Sequence, residues 1–446
     1  MSQEATRMAP PSPEDRLSRR DFLKGTAAAA LTTAGWGWHV YGEETSEEAT
    51  PIKLGIIGAG SQGRGALMAA ALRIPGVQFT AVCDIRPDCL QAGLEMAGPG
   101  AQGFVEYREL LEKADVEAVI VATPLHLHAP VTIAAFQAGK HVFCEKAMAY
   151  TVEECKEMLR AQRRAGKLLQ IGHHLRYHPL YHHAKQQIEK GLLGQITHIR
   201  AQWNRHGSWR RPVPTGDFDF RRWGYPTPDH LFNWRLYRET SGGLMAELGS
   251  HQTDVVYWML GLSPTAVIGV GGIDYYQDGR TVFDNVHVIY ECPNGIKFTY
   301  ESLTANAHSP YGEAYEMIQG DKGTFILSNV PRSRGLFFLE PGAEKEIWMD
   351  AARKEKVDGQ EAITLDAAAT KGKDKAKIPG QDVSIAETTK STYQMELEDF
   401  VACIRTGREP FCNGEIGLRS AAAALLANEA MEKRERIEFQ ESLYEV

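Results

Sequence analysis

The spacing of apolar positions changes twice along this chain. Up to residue 51 no period is sustained. Ser18-Arg19-Arg20-Asp21-Phe22-Leu23-Lys24 leads into a weakly apolar, Ala/Thr-rich stretch from Gly25 to Trp38, and HVYGEETSEEATP at 39–51 is polar and acidic. From residue 52, short apolar runs alternate with helical patterns. Ile52 to Ile57 is rich in β-branched residues and ends at Gly58, as a strand buried on both faces would. Val77 to Val82, Ala118 to Ala122, His141 to Cys144 and Leu168 to Ile171 repeat the pattern. Residues 64–73, Leu90 to Met96, Pro130 to Ala138 and Thr151 to Ala165 read as helices between them, the last with an acidic first turn that suits the helix dipole. Such alternation predicts a doubly wound parallel sheet over 52–172.

After residue 173 the rhythm becomes that of strands alone. Ile196 to Trp203, Ala266 to Ile273, Asn285 to Glu291, Ile296 to Leu303, Glu313 to Gln319 and Gly323 to Leu327 follow one another, one pair joined through Pro293-Asn294-Gly295. They predict a mostly antiparallel sheet in a second domain, 173–446. Residues 351–390 (for example KGKDKAKIPGQD) show little apolar period and read as a long surface loop or a flexible, disordered insertion. Leu397 to Ile404 and Leu418 to Lys433 return to helical spacing. The predicted class is therefore α/β: a Rossmann sheet, then an α/β domain built on the second sheet.

Composition narrows the function. The 446 residues are 43% hydrophobic and 24% charged, an ordinary globular balance, and the length fits two domains. A net charge of −8 speaks against nucleic acid or an anionic membrane surface as partner. No run of 18 apolar residues predicts a membrane span. Seven scattered cysteines without a CxxC pair predict neither a disulfide scaffold nor a zinc ribbon. The paired arginines with Phe-Leu-Lys ahead of an Ala/Thr-rich segment predict twin-arginine export, hence a periplasmic or other extracytoplasmic destination, with 1–51 as signal and linker.

Gly58-Ala59-Gly60-Ser61-Gln62-Gly63 is G-x-G-x-x-G, placed directly after a predicted strand and opening a helix. Glycines there allow a tight turn and close approach of a pyrophosphate to the helix start. Asp84 ends the second predicted strand, 21 residues after Gly63, where an acid would hold the ribose hydroxyls. Its charge favours NAD; Arg86 leaves NADP open.

With that loop in place, three later stretches carry a resemblance. Ala122-Thr123-Pro124-Leu125-His126-Leu127-His128, Glu145-Lys146-Ala147, and Gly242-Gly243-Leu244-Met245-Ala246-Glu247-Leu248-Gly249-Ser250-His251-Gln252-Thr253-Asp254 are similar, in order, to motifs of the glucose–fructose oxidoreductase and inositol dehydrogenase family (Gfo/Idh/MocA). The similarity covers most of 52–446 outside 351–390. It implies a Rossmann domain plus an α/β domain with an open sheet, often a homodimer or homotetramer. It also implies Thr123, Pro124, His128 and Glu145 beside the nicotinamide cofactor, and Lys146, His251 and Glu247 in catalysis. The family's proline is Ala147 here. Because a non-proline cis bond costs about 2.5–4 kcal/mol, Lys146–Ala147 is expected to be trans.

Oxidising an alcohol requires a hydride acceptor and a proton acceptor. His251 suits the second role, and helical spacing would put Glu247 and Asp254 on its face, Glu247 orienting the ring. Lys146, at a strand's carboxyl end, would hold the substrate oxygen. Arg176-Tyr177-His178-Pro179 resembles a family pattern at the domain junction, so Arg176 and Tyr177, with Trp203 and Asp254, are expected on the substrate side. His173 to His183 invites a metal reading, yet Pro179 breaks the helix and no acidic or thiol ligand joins, so none is expected. The aromatic and basic stretch Trp203 to Pro212, with Trp223, Trp234 and Arg235, is read equally as a sugar surface or as interdomain packing. The expected protein is an exported oxidoreductase acting on a small carbohydrate or cyclitol with tightly held NAD. The alternatives are a glycosidase working through transient oxidation and elimination, and a non-catalytic sugar-binding protein.

Overall fold

The computed structural model describes residues 50–365, 376–378, 381–383 and 390–446, apart from positions 217, 331–332, 347–348 and 351. The twin-arginine segment lies outside the described residues. Residues from Thr50 onward form one compact unit.

Its first sheet joins six strands, all parallel: β1 (Ile52–Ile57), β2 (Val77–Cys83), β3 (Gln102–Phe104), β4 (Ala118–Val121), β5 (His141–Glu145) and β6 (Leu169–Gly172). Their order is β3-β2-β1-β4-β5-β6. All four residues of β4 are buried, as a central strand covered on both faces requires. The order in which successive strands are added reverses between β1 and β4, which opens a crevice at the carboxyl ends of these strands. The helix Val152–Ala165 shows how local sequence sets a boundary. Thr151 Oγ accepts the Glu154 N–H at 3.1 Å, Glu154 Oε2 accepts the Thr151 N–H at 2.9 Å, and Gly166 closes the helix at φ 61°. The pattern of apolar positions had not revealed β3 or the helix Tyr107–Lys113. β3 is a three-residue edge strand, mostly exposed, with no apolar run to announce it.

The second sheet joins β7 (Ile196–Trp203), β8 (Ala266–Gly272), β9 (Asn285–Glu291), β10 (Lys297–Leu303), β11 (Ala314–Gly320), β12 (Gly323–Val330), β13 (Arg334–Leu339), β14 (Lys354–Val357) and β15 (Gln360–Thr364). A short pair, β16 (Ala376–Ile378) and β17 (Gln381–Val383), stands apart, and β18 (Ile437–Glu438) completes the sheet beside β8. The order is β14-β15-β13-β12-β11-β7-β10-β9-β8-β18, antiparallel except for the β7–β10 pair. The expected surface loop at 351–390 is corrected here: 354–364 is a hairpin turned by Asp358-Gly359, both at positive φ (50° and 82°). Asp-Gly is a hairpin signal. It was masked because only Val357, Ala362 and Ile363 of this edge hairpin are buried.

One face of this sheet is covered by the helices Ser250–Leu260 and Gly414–Lys433. On the other face Ile268, Val270 and Ile289 are exposed, Val270 at 67%. The helix Thr392–Thr406 comes late in the chain, yet it packs against the first sheet. Leu397, Phe400 and Val401 join the core with Phe143, whose ring centroid lies 5.9 Å from that of Phe400. All seven cysteines are buried free thiols. Among the described residues no helix is long and apolar enough to cross a membrane.

Candidate active site

The glycine loop runs from β1 into a helix that opens with the π-helical turn Gly63–Met68. Its glycines serve different ends. A Cβ on Gly63 would lie 1.9 Å from Gly58 O, and one on Gly58, at φ 98°, would lie 2.5 Å from Ala122 O, so both permit close backbone packing. A Cβ on Gly60 would meet nothing within 4 Å. The space above Gly60 belongs to a groove of about 430 Å³. Gly58, Gly60, Ser61, Gln62, Asp84, Arg86, Thr123 and Pro124 line it, and Gly63 does not. Thr123 Oγ1 and Tyr225 OH, also in its lining, are buried without hydrogen-bond partners among the described residues. Bare glycine backbone at a helix start, an acid at the end of β2 and orphaned hydroxyls fit a dinucleotide.

Asp84 already accepts the Ala59 and Arg86 backbone N–H groups, each at 2.8 Å. Burial pushes its carboxyl up to about 6 from the ordinary 3.8. Folding therefore takes up a proton between these values. The contribution to stability is complete below about pH 4 and lost as pH rises through about 6. Asp84→Asn should remove that slope. In denaturant unfolding at about pH 4 and about pH 8, the difference between variant and native protein should change by up to about 3 kcal/mol, in the variant's favour at high pH.

Behind the groove, residues expected to touch the cofactor act as braces. Glu145 is buried; its Oε1 accepts from Gln62 Nε2 at 2.8 Å and its Oε2 from the Lys146 N–H at 3.1 Å, tying the end of β5 to the glycine loop. His128 bridges the loops after β4 and β5, with Nδ1 2.8 Å from Ala147 O and Nε2 3.0 Å from Thr123 O. Burial pulls its pKa down to about 4, so the ring is neutral and donates to one of the two carbonyls. Neither side chain lines the groove. The Lys146–Ala147 bond is cis, which corrects the expected trans bond. The turn is fixed on both sides by these contacts, which the intrinsic preference of an isolated peptide does not include.

Lys146 leaves this turn and donates from Nζ to Glu247 O at 3.0 Å. Glu247 itself faces elsewhere than expected. Its Oε2 accepts from Arg235 Nε at 2.9 Å. Burial would raise its pKa, but Arg235 and then Lys146 hold it below the ordinary value. The helical spacing from Glu247 to His251 is altered because Met245–Gly249 is a π-helical turn, which rotates Glu247 relative to Ser250–Leu260. His251 is buried, its Nδ1 without a partner. Burial, then Lys146, His174 and His173, hold its pKa well below 6.5, so the ring is neutral at neutral pH. Trp203 lies across it at 5.3 Å between ring centroids, and His174 at 5.1 Å. Lys146, His251 and Trp203 thus meet beyond the carboxyl end of β5.

Arg176, Tyr177 and Asp254 are not at the cleft surface where the sequence placed them. Arg176 is 2% and Asp254 1% exposed. Arg176 Nε reaches Asp254 Oδ2 at 2.8 Å, its outer nitrogen reaches Oδ1 at 2.8 Å, and Ser420 Oγ donates to Oδ1 at 2.7 Å. Tyr177 OH donates to Asp399 Oδ2 at 2.6 Å. These groups spend their polar atoms on the helices behind His251. His174, His178 and His182 are likewise engaged in the framework, whereas both ring nitrogens of the buried His173 lack a hydrogen-bond partner among the described residues. His178 Nδ1 accepts the Leu180 N–H, capping the helix Pro179–Glu189, and His182 Nε2 lies 2.6 Å from Arg176 O. Among the described residues no cluster of three or more His, Cys, Asp or Glu has metal-binding geometry.

The ambiguous aromatic and basic stretch has a place that sequence reasoning missed. Arg211, Arg222, Trp223, Tyr225, Phe232, Trp234 and Arg235 form the groove's far wall, contributed by the second domain. The Arg86 guanidinium stacks 4.4 Å from the centroid of Phe232. The signal was the density of Arg and aromatic residues between Trp203 and Arg238; nothing in it said which ligand they face.

Comparison with known proteins agrees with this geometry. Residues 52–173 match the oxidoreductase family, NAD-binding Rossmann fold, residues 185–439 match its C-terminal alpha/beta domain, and residues 16–35 match a twin-arginine translocation signal. Inositol 2-dehydrogenase of Salmonella typhimurium is 32% identical over 210 residues, 47% of this chain and 54% of that protein, so the match spans about half its length. The 1,5-anhydro-D-fructose reductase of Ensifer adhaerens is 25% identical over 83% of this chain and 93% of its own. The crystal structure of aldose-aldose oxidoreductase from Caulobacter crescentus shares the fold, with a TM-score of 0.66 at 22% identity, covering 87% of this chain and all of that one. With both of its domains matched, the chain belongs to the Gfo/Idh/MocA oxidoreductase family and carries a twin-arginine signal.

Proposed function

We propose that the protein is an exported NAD(P)-dependent oxidoreductase that transfers a hydride between a sugar, cyclitol or sugar derivative and a nicotinamide cofactor. One observation carries this reading: Lys146 and a neutral His251, whose Nδ1 has no hydrogen-bond partner among the described residues, converge beside the dinucleotide groove. The nicotinamide, when bound, supplies the hydride-accepting carbon. Lys146 holds the reacting oxygen of the substrate. His251 takes its proton, since a neutral imidazole is the competent base. The indole of Trp203 offers an apolar face to the C–H surface of a sugar ring. Asp84 accepts from the ribose hydroxyls, which favours NAD over NADP. The names of the inositol and anhydrofructose relatives support a polyol or sugar substrate.

The same reading has the cofactor held tightly, the mature protein in the periplasm, and a homodimer or homotetramer formed through the open sheet face around Val270. It is tested by incubating the purified protein with a panel of sugars, cyclitols and glycosides, with and without added NAD. Net formation of reduced nicotinamide is expected. Release of free sugar from a glycoside without net reduction would replace it with transient oxidation and elimination.

A further inference from the structure

We propose that Arg211, from the second domain, is a direct ligand of the dinucleotide pyrophosphate and closes the groove from the side opposite the glycine loop; this rests on the nicotinamide reading above. The residue is held as a built feature. Its backbone N–H donates to Asn233 Oδ1 at 2.6 Å, and Asn233 Nδ2 donates back to Arg211 O at 3.1 Å. Asn233 is 4% exposed and is itself fixed to Asp229 Oδ1 at 2.8 Å. The neighbouring Arg210 grips Asp229 at 2.7 Å. From this anchored backbone the Arg211 guanidinium crosses to the glycine loop and donates to Ser61 Oγ at 3.3 Å.

Ser61 is the fourth residue of the loop, at the helix start where a pyrophosphate is received. The loop offers neutral N–H donors only, and the guanidinium that directly follows it in sequence, Arg64, is turned to Ala59 O at 3.2 Å. Of the other guanidinium groups of the groove, three have carboxylate partners (Asp88 for Arg86, Glu247 for Arg235 and Glu106 for Arg222), and Arg108 lies over the Tyr107 ring, 4.5 Å from its centroid. Among the described residues Arg211 has no carboxylate within ion-pairing distance. Burial, Arg235 and Arg86 all disfavour its charge, so an anion at Ser61 would relieve an uncompensated positive field. The position also separates two roles. A 2′-phosphate would sit at the Asp84 end of the groove, whereas Arg211 reaches the loop. Its contribution therefore applies equally to NAD and NADP, and it makes the cofactor a bridge between the two domains.

Binding to the full, cofactor-stripped protein tests this, read by calorimetry with NADH, NADPH, ADP-ribose and adenosine. Arg211→Met should weaken NADH, NADPH and ADP-ribose alike, by about 10- to 100-fold, the scale of a charge-assisted hydrogen bond. Adenosine should bind unchanged, and Arg211→Lys should recover part of the loss. Unaltered NADH affinity in Arg211→Met overturns the inference while leaving the nicotinamide reading intact. A loss confined to NADPH also overturns it, by moving Arg211 to the 2′-phosphate. Failure of the native protein to bind any dinucleotide would remove both.

Discussion

Lys146→Met should lower kcat by about 10²- to 10⁴-fold, the range for losing a positioned proton-handling group, while leaving dinucleotide affinity within a few-fold of native. The split follows from the geometry. Among the described residues Lys146 Nζ bonds to Glu247 O alone, at 3.0 Å, and it is not part of the groove proposed to receive the dinucleotide. The methionine keeps the length and apolar stem of the side chain and removes the ammonium. Steady-state kinetics with a competent substrate and direct titration with NADH measure the two halves independently. An unchanged kcat would remove Lys146 from the chemistry; a lost NADH affinity with an unchanged kcat would make it a cofactor ligand instead.

The second large effect is on stability. Asp254→Ala should cost about 3–5 kcal/mol in denaturant unfolding, because it strands the Arg176 charge in the interior. Arg176 is 2% exposed, and its Nε and one outer nitrogen both spend their hydrogen bonds on Asp254. Against the upward push of burial, Arg176 holds the Asp254 carboxyl below its ordinary range, so the pair stays ionised. Replacing both partners, Arg176→Met with Asp254→Leu, should recover most of the loss, since the cost lies in the unpaired charge more than in the missing attraction. A single variant as stable as the native protein would show that the pair is solvated in solution.

That result bears on what the sequence made legible. Strand runs such as Ile52–Ile57 and Ala118–Val121 were readable because burial on both faces demands unbroken apolar residues. The glycine loop and Asp84 were readable because backbone contact with a phosphate demands glycine at fixed spacing. The hairpin at 354–364 was hidden, since an edge strand can be mostly polar. Roles that depend on direction were also hidden. A periodic helix would place Glu247 over His251, but one π-helical turn hands it to Arg235. Arg176, Tyr177 and Asp254 look like substrate ligands in a string of letters; only their burial and bonding show that Arg176 and Asp254 anchor the helix bearing His251 and that Tyr177 ties to Asp399 on the helix Thr392–Thr406. The basic wall of the groove comes from residues at least 127 positions beyond Asp84, such as Arg211, and no local pattern announces a contact across domains.

The central claim is hydride transfer to a nicotinamide at a site served by Lys146 and His251. Its most direct test is isotopic. For whichever sugar or cyclitol of the panel gives turnover, the substrate is prepared with deuterium on the carbinol carbon, and the nicotinamide is recovered and read by mass spectrometry. The account predicts that the label arrives on the nicotinamide ring with the native protein and arrives at least about 10²-fold more slowly with Lys146→Met and His251→Asn. Turnover that leaves the nicotinamide unlabelled, or label transfer undiminished in both variants, would contradict it.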